Sequence, residues 1–281
     1  MGLDGVTFPE ARMVLDRIGF VAPLSAPIAR PTRSPVPNED EIDCMTLMGE
    51  LFHRFLLHST LGRPARQYLF GTRGITGLHL NALLPSMGYA PEQYMADMQQ
   101  VLRKRFGKGW HQLAESTGFL RGERESLHER LVFLVRNDSG HIVFYQARTI
   151  TGSEPKFLNP SFRKTPFAPL RYPFHPGTFV VEGPMDTIAV AAQGFYTVGI
   201  FGSVLPTISE IKRWPQPIFG GLDHDCNSTG QDTQAKLATL CRDNAIPYQD
   251  WDWAPHKDPA EALETLRPSA FTHLLSGHRA A

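Results

Sequence analysis

Five acidic residues in the last part of the chain carry the strongest chemical signal: Glu182, Asp186, Asp223, Asp225 and Asp258. Glu182 ends the β-branched run 178–182 and is followed by Gly183. Asp223 and Asp225 close a later apolar run, in Leu222-Asp223-His224-Asp225. Asp258 follows a further run, and Asp186 lies near the start of a helical stretch. Like charges gathered at one place repel strongly unless a cation neutralises them. Carboxylates are hard oxygen donors that suit Mg2+ or Mn2+, with water and phosphate oxygens filling the other positions. The chemistry such a set supports is metal-assisted phosphoryl transfer, in which two ions stabilise the attacking and leaving oxygens. Each residue also has an ordinary reading. Asp258-Pro259-Ala260-Glu261 is a good helix start. Asp223-x-Asp225 is a common kind of acidic loop, His224 reads as a local hydrogen-bonder, and Glu182-Gly183 as a strand exit. The order and spacing of the whole set favour the metal.

The elements that would gather these residues are visible in the pattern. After the run 178–182 come a helix at 185–193 that stops at Gly194, a strand at 196–201 and a short helix at 208–214. A strand at 217–222, a helix at 231–244, a strand at 247–253 and a helix at 259–266 follow. Strands alternating with helices predict right-handed crossovers and a parallel sheet. In such a sheet ligands bind beyond the carboxyl ends of the strands, where the acidic residues fall.

Upstream the pattern differs. Residues 8–18 look helical, and 21–38 hold five prolines and read as a linker. Residues 40–57 place Ile42, Met45, Met48, Leu51, Phe52 and Phe55 near helical spacing. Residues 63–120 read as mostly helical, with breaks at Gly71, Gly74, Pro85–Gly88 and Gly107. Two apolar strands, 131–135 and 142–146, flank the turn cluster Asn137-Asp138-Ser139-Gly140 and predict a β-hairpin. The expected organisation is an N-terminal segment and linker (1–39), a basic α+β subdomain (40–176), a parallel α/β domain (177–268) and a C-terminal tail (269–281).

Composition excludes several classes. The chain has 281 residues, 42% apolar and 10% aromatic, enough for a packed core. It has no uninterrupted apolar run of membrane-spanning length and no secretory signal at its start, so no membrane partner is expected. Cys44, Cys226 and Cys241 are odd in number and widely spaced, which fits neither a disulfide framework nor a zinc ribbon and points to a reducing, cytoplasmic setting. The 28 basic and 28 acidic residues cancel overall, but not locally. The balance is −3 over residues 1–60, +8 over 61–176 and −5 over 177–281. A basic surface for a phosphate backbone beside an acidic cluster for metal ions accounts for that split.

The motifs Val180-Val181-Glu182-Gly183-Pro184-Met185-Asp186, Gly199-Ile200-Phe201-Gly202-Ser203, Leu222-Asp223-His224-Asp225 and Lys257-Asp258-Pro259 resemble the Toprim domain. Upstream, Ala65-Arg66-Gln67-Tyr68-Leu69 with Arg73-Gly74-Ile75, Gly88-Tyr89-Ala90-Pro91, Glu129–Phe133, Gly140–Phe144 with Ala147-Arg148, and Pro155–Pro160 follow the order of a primase core. Over roughly residues 40–265 the chain resembles the catalytic core of bacterial DnaG-type primases. The resemblance implies a Toprim-type parallel sheet flanked by helices, preceded by a mixed α+β subdomain. It implies synthesis of short RNA primers from NTPs on a single-stranded DNA template. Glu182, Asp223, Asp225 and Asp258 would bind the catalytic Mg2+ or Mn2+, with Asp186 supporting them or joining them. Arg73, Arg130, Arg148, Lys156 and Asn159 would line the groove for template or nucleotide phosphates. Phe157 and Tyr145 are expected in core packing rather than base stacking. The family's lysine-glycine element is replaced at 163–176 by a proline-rich stretch, where Lys164 is the candidate substitute. The loop Cys226–Thr229 is longer than the family's, which bears on Asp225. No Cys/His zinc module is present, so no zinc is expected in this chain, and contact with a replicative helicase would run through regions outside it. Two alternatives remain from the residues: a metal-dependent Toprim nuclease, and a non-catalytic nucleic-acid-binding module.

Overall fold

The structure, a computed structural model, describes residues 36–170, 172–202, 205–223, 229–266 and 268–276. The helix expected at 8–18 and most of the proline-rich stretch lie outside the described residues, as do His224 and Asp225.

Helix α1 (Glu39–His58) starts with a capping box, in which Asn38 and Glu41 exchange side-chain and backbone hydrogen bonds at 2.9 Å. Its apolar face is fully buried at Met45, Met48 and Phe52. After it come the short helix α2 (Arg63–Arg66), a π-helical stretch Gln67–Thr72, α3 (Leu80–Leu83), strand β1 (Met87–Ala90), α4 (Tyr94–Phe106) and α5 (Trp110–Ser116). The strand at Met87–Ala90 starts within the expected break at Pro85–Gly88, in a segment read as mostly helical. All four of its residues are buried, so it shows no alternation for a sequence reading to detect. Gly88 lets it lie against α1, because a Cβ there would stand 2.7 Å from Phe52 Cβ.

A small hairpin follows, β2 (Leu120–Arg121) and β3 (Arg124–Glu125). The predicted larger hairpin is β4 (Arg130–Arg136) with β5 (Ile142–Thr149), and β6 (Phe157–Leu158) adds to its edge. The resulting antiparallel sheet runs β1-β4-β5-β6.

The second sheet is parallel throughout: β7 (His175–Val181), β8 (Phe195–Gly199), β9 (Ile218–Gly220) and β10 (Tyr248–Asp250), in the order β10-β9-β7-β8. The intervening helices are α6 (Pro184–Ala191), α7 (Ile208–Ile211) and α8 (Thr229–Asp243). Alternate residues of β7 face opposite ways. Phe179 and Val181 join the main core, while Val180 joins a second cluster with Ile211, Leu237 and Cys241. Burial on both faces explains why β7 reads as a continuous apolar run. Phe179 is ringed by Phe219, Trp251 and Phe195, with centroids at 4.9, 4.9 and 5.3 Å.

Helix α9 (Pro259–Thr265) returns to pack on α6. Residues 268–276, expected to belong largely to a tail, form α10 (Pro268–Ser276), which buries Phe271 and Leu275. No helix among the described residues is long and apolar enough to cross a membrane.

Candidate active site

From β7 the chain passes to β8 on one side and then to β9 on the other. The crevice at such a reversal, beyond the strand carboxyl ends, is where open parallel sheets bind ligands. Glu182 directly follows β7, and Asp223 lies three residues beyond β9. Both line one cleft of about 380 Å3 together with Asp186 and Asp258. Four of the five predicted acidic residues thus share one cavity. Asp225 lies outside the described residues.

Backbone geometry sets their roles apart. Asp186, on the first turn of α6, is buried. Its Oδ2 accepts from the Gly183 N–H at 3.1 Å and its Oδ1 from the Ala260 N–H at 3.3 Å. One side chain therefore ties the Glu182-Gly183 strand exit to the start of α9. Gly183 is needed there, since a Cβ would sit 2.6 Å from Asp186 Oδ2. Burial, then the nearby charges of Asp258 and Asp223, hold the Asp186 carboxyl well above the ordinary carboxylate range. Asp258 is the N-cap of α9, accepting from the Glu261 N–H at 2.8 Å, with Pro259 in the first helical turn. Asp258 is thus the helix cap that its sequel Pro259-Ala260-Glu261 predicts, and it also lines the cleft. Asp223 pairs with Lys257 Nζ at 3.8 Å. Gly230, at the start of α8, lies so close to the segment after β9 that a Cβ on it would meet the Asp223 carbonyl oxygen at 2.2 Å.

Basic residues from other elements line the same cleft. Antiparallel pairing of β5 with β6 sets Arg148 beside Phe157. The Arg148 guanidinium lies 5.6 Å from the Phe157 ring and 6.0 Å from the Tyr68 ring, and Lys156 Nζ lies 5.3 Å from Phe157. Arg73 follows the π-helical stretch, a feature common at functional sites. It donates from Nε to the Tyr68 hydroxyl at 3.0 Å and forms an ion pair with Glu264. Arg73, Arg148, Lys156 and Phe157 line the cleft with the carboxylates. Phe157 is only partly buried and faces this cavity, whereas Tyr145 is a core residue, donating to the Thr117 carbonyl at 2.8 Å.

Three other predicted residues are placed differently. Arg130 is 4% exposed, and its Nη1 donates to the carbonyls of Pro155 and Lys156 at 2.8 and 3.3 Å. It clamps the segment that carries Lys156 and does not line the cleft. Asn159 is exposed and accepts from Gln146 Nε2 at 3.1 Å. Lys164 donates to the Phe201 carbonyl at 2.7 Å and lines a separate cavity. The sequence reading passed over Lys257, Glu261 and Glu264, which also line the cleft. Lys257 was within reach of it as the neighbour of Asp258. Glu264 was not, because its role depends on a partner 191 positions away.

With this geometry in view, comparison with known proteins is specific. Residues 52–167 match the family model of the DNA primase catalytic core, N-terminal domain. The chain is 30% identical over 213 residues to a DNA primase of Halalkalibacterium halodurans, covering 68% of this chain and 34% of that protein. It is 25% identical over 232 residues to the DNA primase of Treponema pallidum, covering 76% of this chain and 37% of that protein. The chain therefore spans about a third of the length of these relatives. Among solved structures, a DnaG primase catalytic domain bound to ssDNA is similar with a TM-score of 0.67 at 19% identity, over 85% of this chain and 78% of that one. The chain thus carries the N-terminal domain of a DNA primase catalytic core at residues 52–167 and has the fold of the DnaG catalytic core.

Proposed function

We propose that the carboxylate cleft is the centre of a Toprim-type primase that joins ribonucleotides into short primers on single-stranded DNA. The observation that carries this is the meeting, in one cavity, of Glu182, Asp186, Asp223 and Asp258 with Arg73, Arg148 and Lys156. Such a cavity can hold a phosphate chain on its basic residues while its carboxylates face the reacting oxygens. The ssDNA bound to a related catalytic domain supports the choice of template.

The donor set fits a divalent metal. The carboxylates are hard oxygen ligands of the kind a divalent cation takes, and four of them, Glu182, Asp186, Asp223 and Asp258, line one cavity. Among the described residues no three acidic, histidine or cysteine side chains stand close enough to hold an ion by themselves. Mg2+ commonly takes one or two carboxylates and completes its shell with water and substrate phosphates. Glu182, Asp223 and Asp258, with Asp225 beyond the described residues, would hold it. When bound, the metal would neutralise triphosphate charge and favour ionisation of the attacking ribose hydroxyl. The protein's own residues then have separate tasks. Asp186 fixes the spacing of the two acidic segments. Arg73, Arg148 and Lys156 bind and orient phosphates. Lys257 supplies a positive charge beside Asp223. Phe157, flanked by two cations, offers a ring face to a base.

Purified protein with a single-stranded template, NTPs and Mn2+ should yield short RNA. Labelled strand with Mn2+ and no NTPs should remain intact. Cleavage without RNA synthesis would instead establish the nuclease, and Mn2+-independent stability in both wild type and Glu182→Ala would favour the non-catalytic module.

A further inference from the structure

A second cleft, of about 410 Å3, opens where the 163–166 segment, the carboxyl end of β8 and α7 meet. This is within the usual range for small-molecule sites, roughly 300–1,000 Å3. It shares no lining residue with the carboxylate cleft. Val143 lines this cavity and Arg148 the other; five residues apart on β5, they stand about 17 Å from one another along the strand and on opposite faces of it.

Its polar wall is cationic: Arg163, Lys164 and Arg213. The Arg163 and Arg213 side chains are exposed, and neither guanidinium makes a hydrogen bond or ion pair with another described residue. The Tyr196 phenol feels the Arg213 charge, but at neutral pH it offers no counter-charge. Lys164 uses one of its three N–H donors on the Phe201 carbonyl at 2.7 Å, leaving two. The one carboxylate in the lining, Glu210, is already engaged: its Oε2 accepts from the Thr207 N–H at 2.6 Å and the Thr207 hydroxyl at 2.7 Å. The facing wall is apolar, formed by Val143, Ile200 and Leu205. Two free guanidinium forks and an ammonium against one engaged carboxylate leave an excess of about two positive charges. That matches a phosphate, which guanidinium binds in a bidentate manner, better than a single carboxylate. The apolar wall suits the base or sugar attached to it.

We propose that this second cleft binds the phosphate of a nucleoside phosphate through Arg163 and Arg213, with Lys164 at its floor. Two sources carry that chemistry: a free nucleoside triphosphate, and a phosphodiester of a single strand passing to or from the carboxylate cleft. The choice of these probes rests on the primase reading above.

The test compares wild type with the Arg163→Gln/Arg213→Gln double variant by fluorescence anisotropy, in chelator so that no metal is available to the carboxylates. One probe is a labelled oligothymidylate and the other a labelled ATP. The double variant should bind at least one probe about tenfold more weakly. Loss for the oligonucleotide, with a salt dependence shallower by about 1.4 ions, assigns the phosphodiester. Loss for ATP alone assigns the free nucleotide. A photo-crosslinker placed by Ser209→Cys, with both arginines intact, should transfer to the same probe, which keeps the result independent of any folding defect. Wild-type affinity of the double variant for both probes, or no transfer to either, would overturn the proposal. Loss of primer synthesis in Asp223→Asn with second-cleft binding unchanged separates the two readings, since either can fail without the other.

Discussion

Arg73 and Glu264 are ion-paired across the mouth of the carboxylate cleft, one from the primase N-terminal region and the other from α9. The same guanidinium donates to the Tyr68 hydroxyl at 3.0 Å and lies over its ring, with 5.4 Å to the centroid. A cation on the wall proposed to bind phosphate is thus held by a carboxylate that phosphate must displace. The two side chains are 25% and 33% exposed, so the pair contributes at most about 1 kcal/mol to stability.

Glu264→Gln should therefore leave the thermal midpoint nearly unchanged. Its single-stranded DNA affinity should rise about two- to fivefold, with a salt dependence steeper by up to about one ion. A salt titration of oligonucleotide binding checks this. Weaker binding in the variant would mean that Glu264 positions Arg73 rather than competing for it.

Arg130 predicts the opposite pattern. Its buried guanidinium satisfies two carbonyls, at Pro155 and Lys156, so Arg130→Met should destabilise the fold by about 2–3 kcal/mol. That corresponds to a midpoint lowered by roughly 4–6 °C. Because Arg130 does not touch the cleft, the salt dependence of DNA binding should hold its wild-type slope below the melting range. A variant that melts normally and loses one ion from the slope would restore the phosphate role that the sequence suggests.

Burial pushes the Cys44 thiol up to about 11, offset in part by the Thr117 hydroxyl and reinforced by Glu41. An acid whose folded value is raised contributes stability that is complete below its unfolded value, near 8.5, and lost as pH rises to the folded one. Chemical unfolding of wild type should therefore lose up to about 3 kcal/mol between pH 8.5 and 11 that Cys44→Ala does not lose. At pH 8 the native protein should leave Cys44 unalkylated by iodoacetamide, as read by peptide mass spectrometry. Rapid labelling of native Cys44 at pH 8 would contradict its burial.

The parallel sheet was legible because β7, β8 and β9 are apolar runs punctuated by helices, and because Glu182 and Asp223 stand at strand ends where the alternation itself locates a crevice. Strand β1 was hidden by its complete burial, and α10 by its position past the last acidic motif. For the basic residues, sequence gave type but not direction. Arg148 and Lys156 face the cleft because β6 pairs with β5, while Arg130 turns under the same segment and Lys164 opens onto another cavity. Those outcomes depend on register and on partners far along the chain, which local pattern does not encode. Phe157 departs from the core-packing expectation for the same reason: its pairing with Arg148 puts it at the cavity wall.

The central claim is that the carboxylate cleft performs nucleotidyl transfer, and single-nucleotide extension of an annealed RNA primer on a DNA template isolates that step from initiation. Performed on the whole natural polypeptide with Mn2+ under single-turnover conditions, wild type should add the templated ribonucleotide. Asp223→Asn should bind the primer–template as well as wild type and extend it at least about a hundredfold more slowly. Equal extension rates for the two proteins would contradict the account.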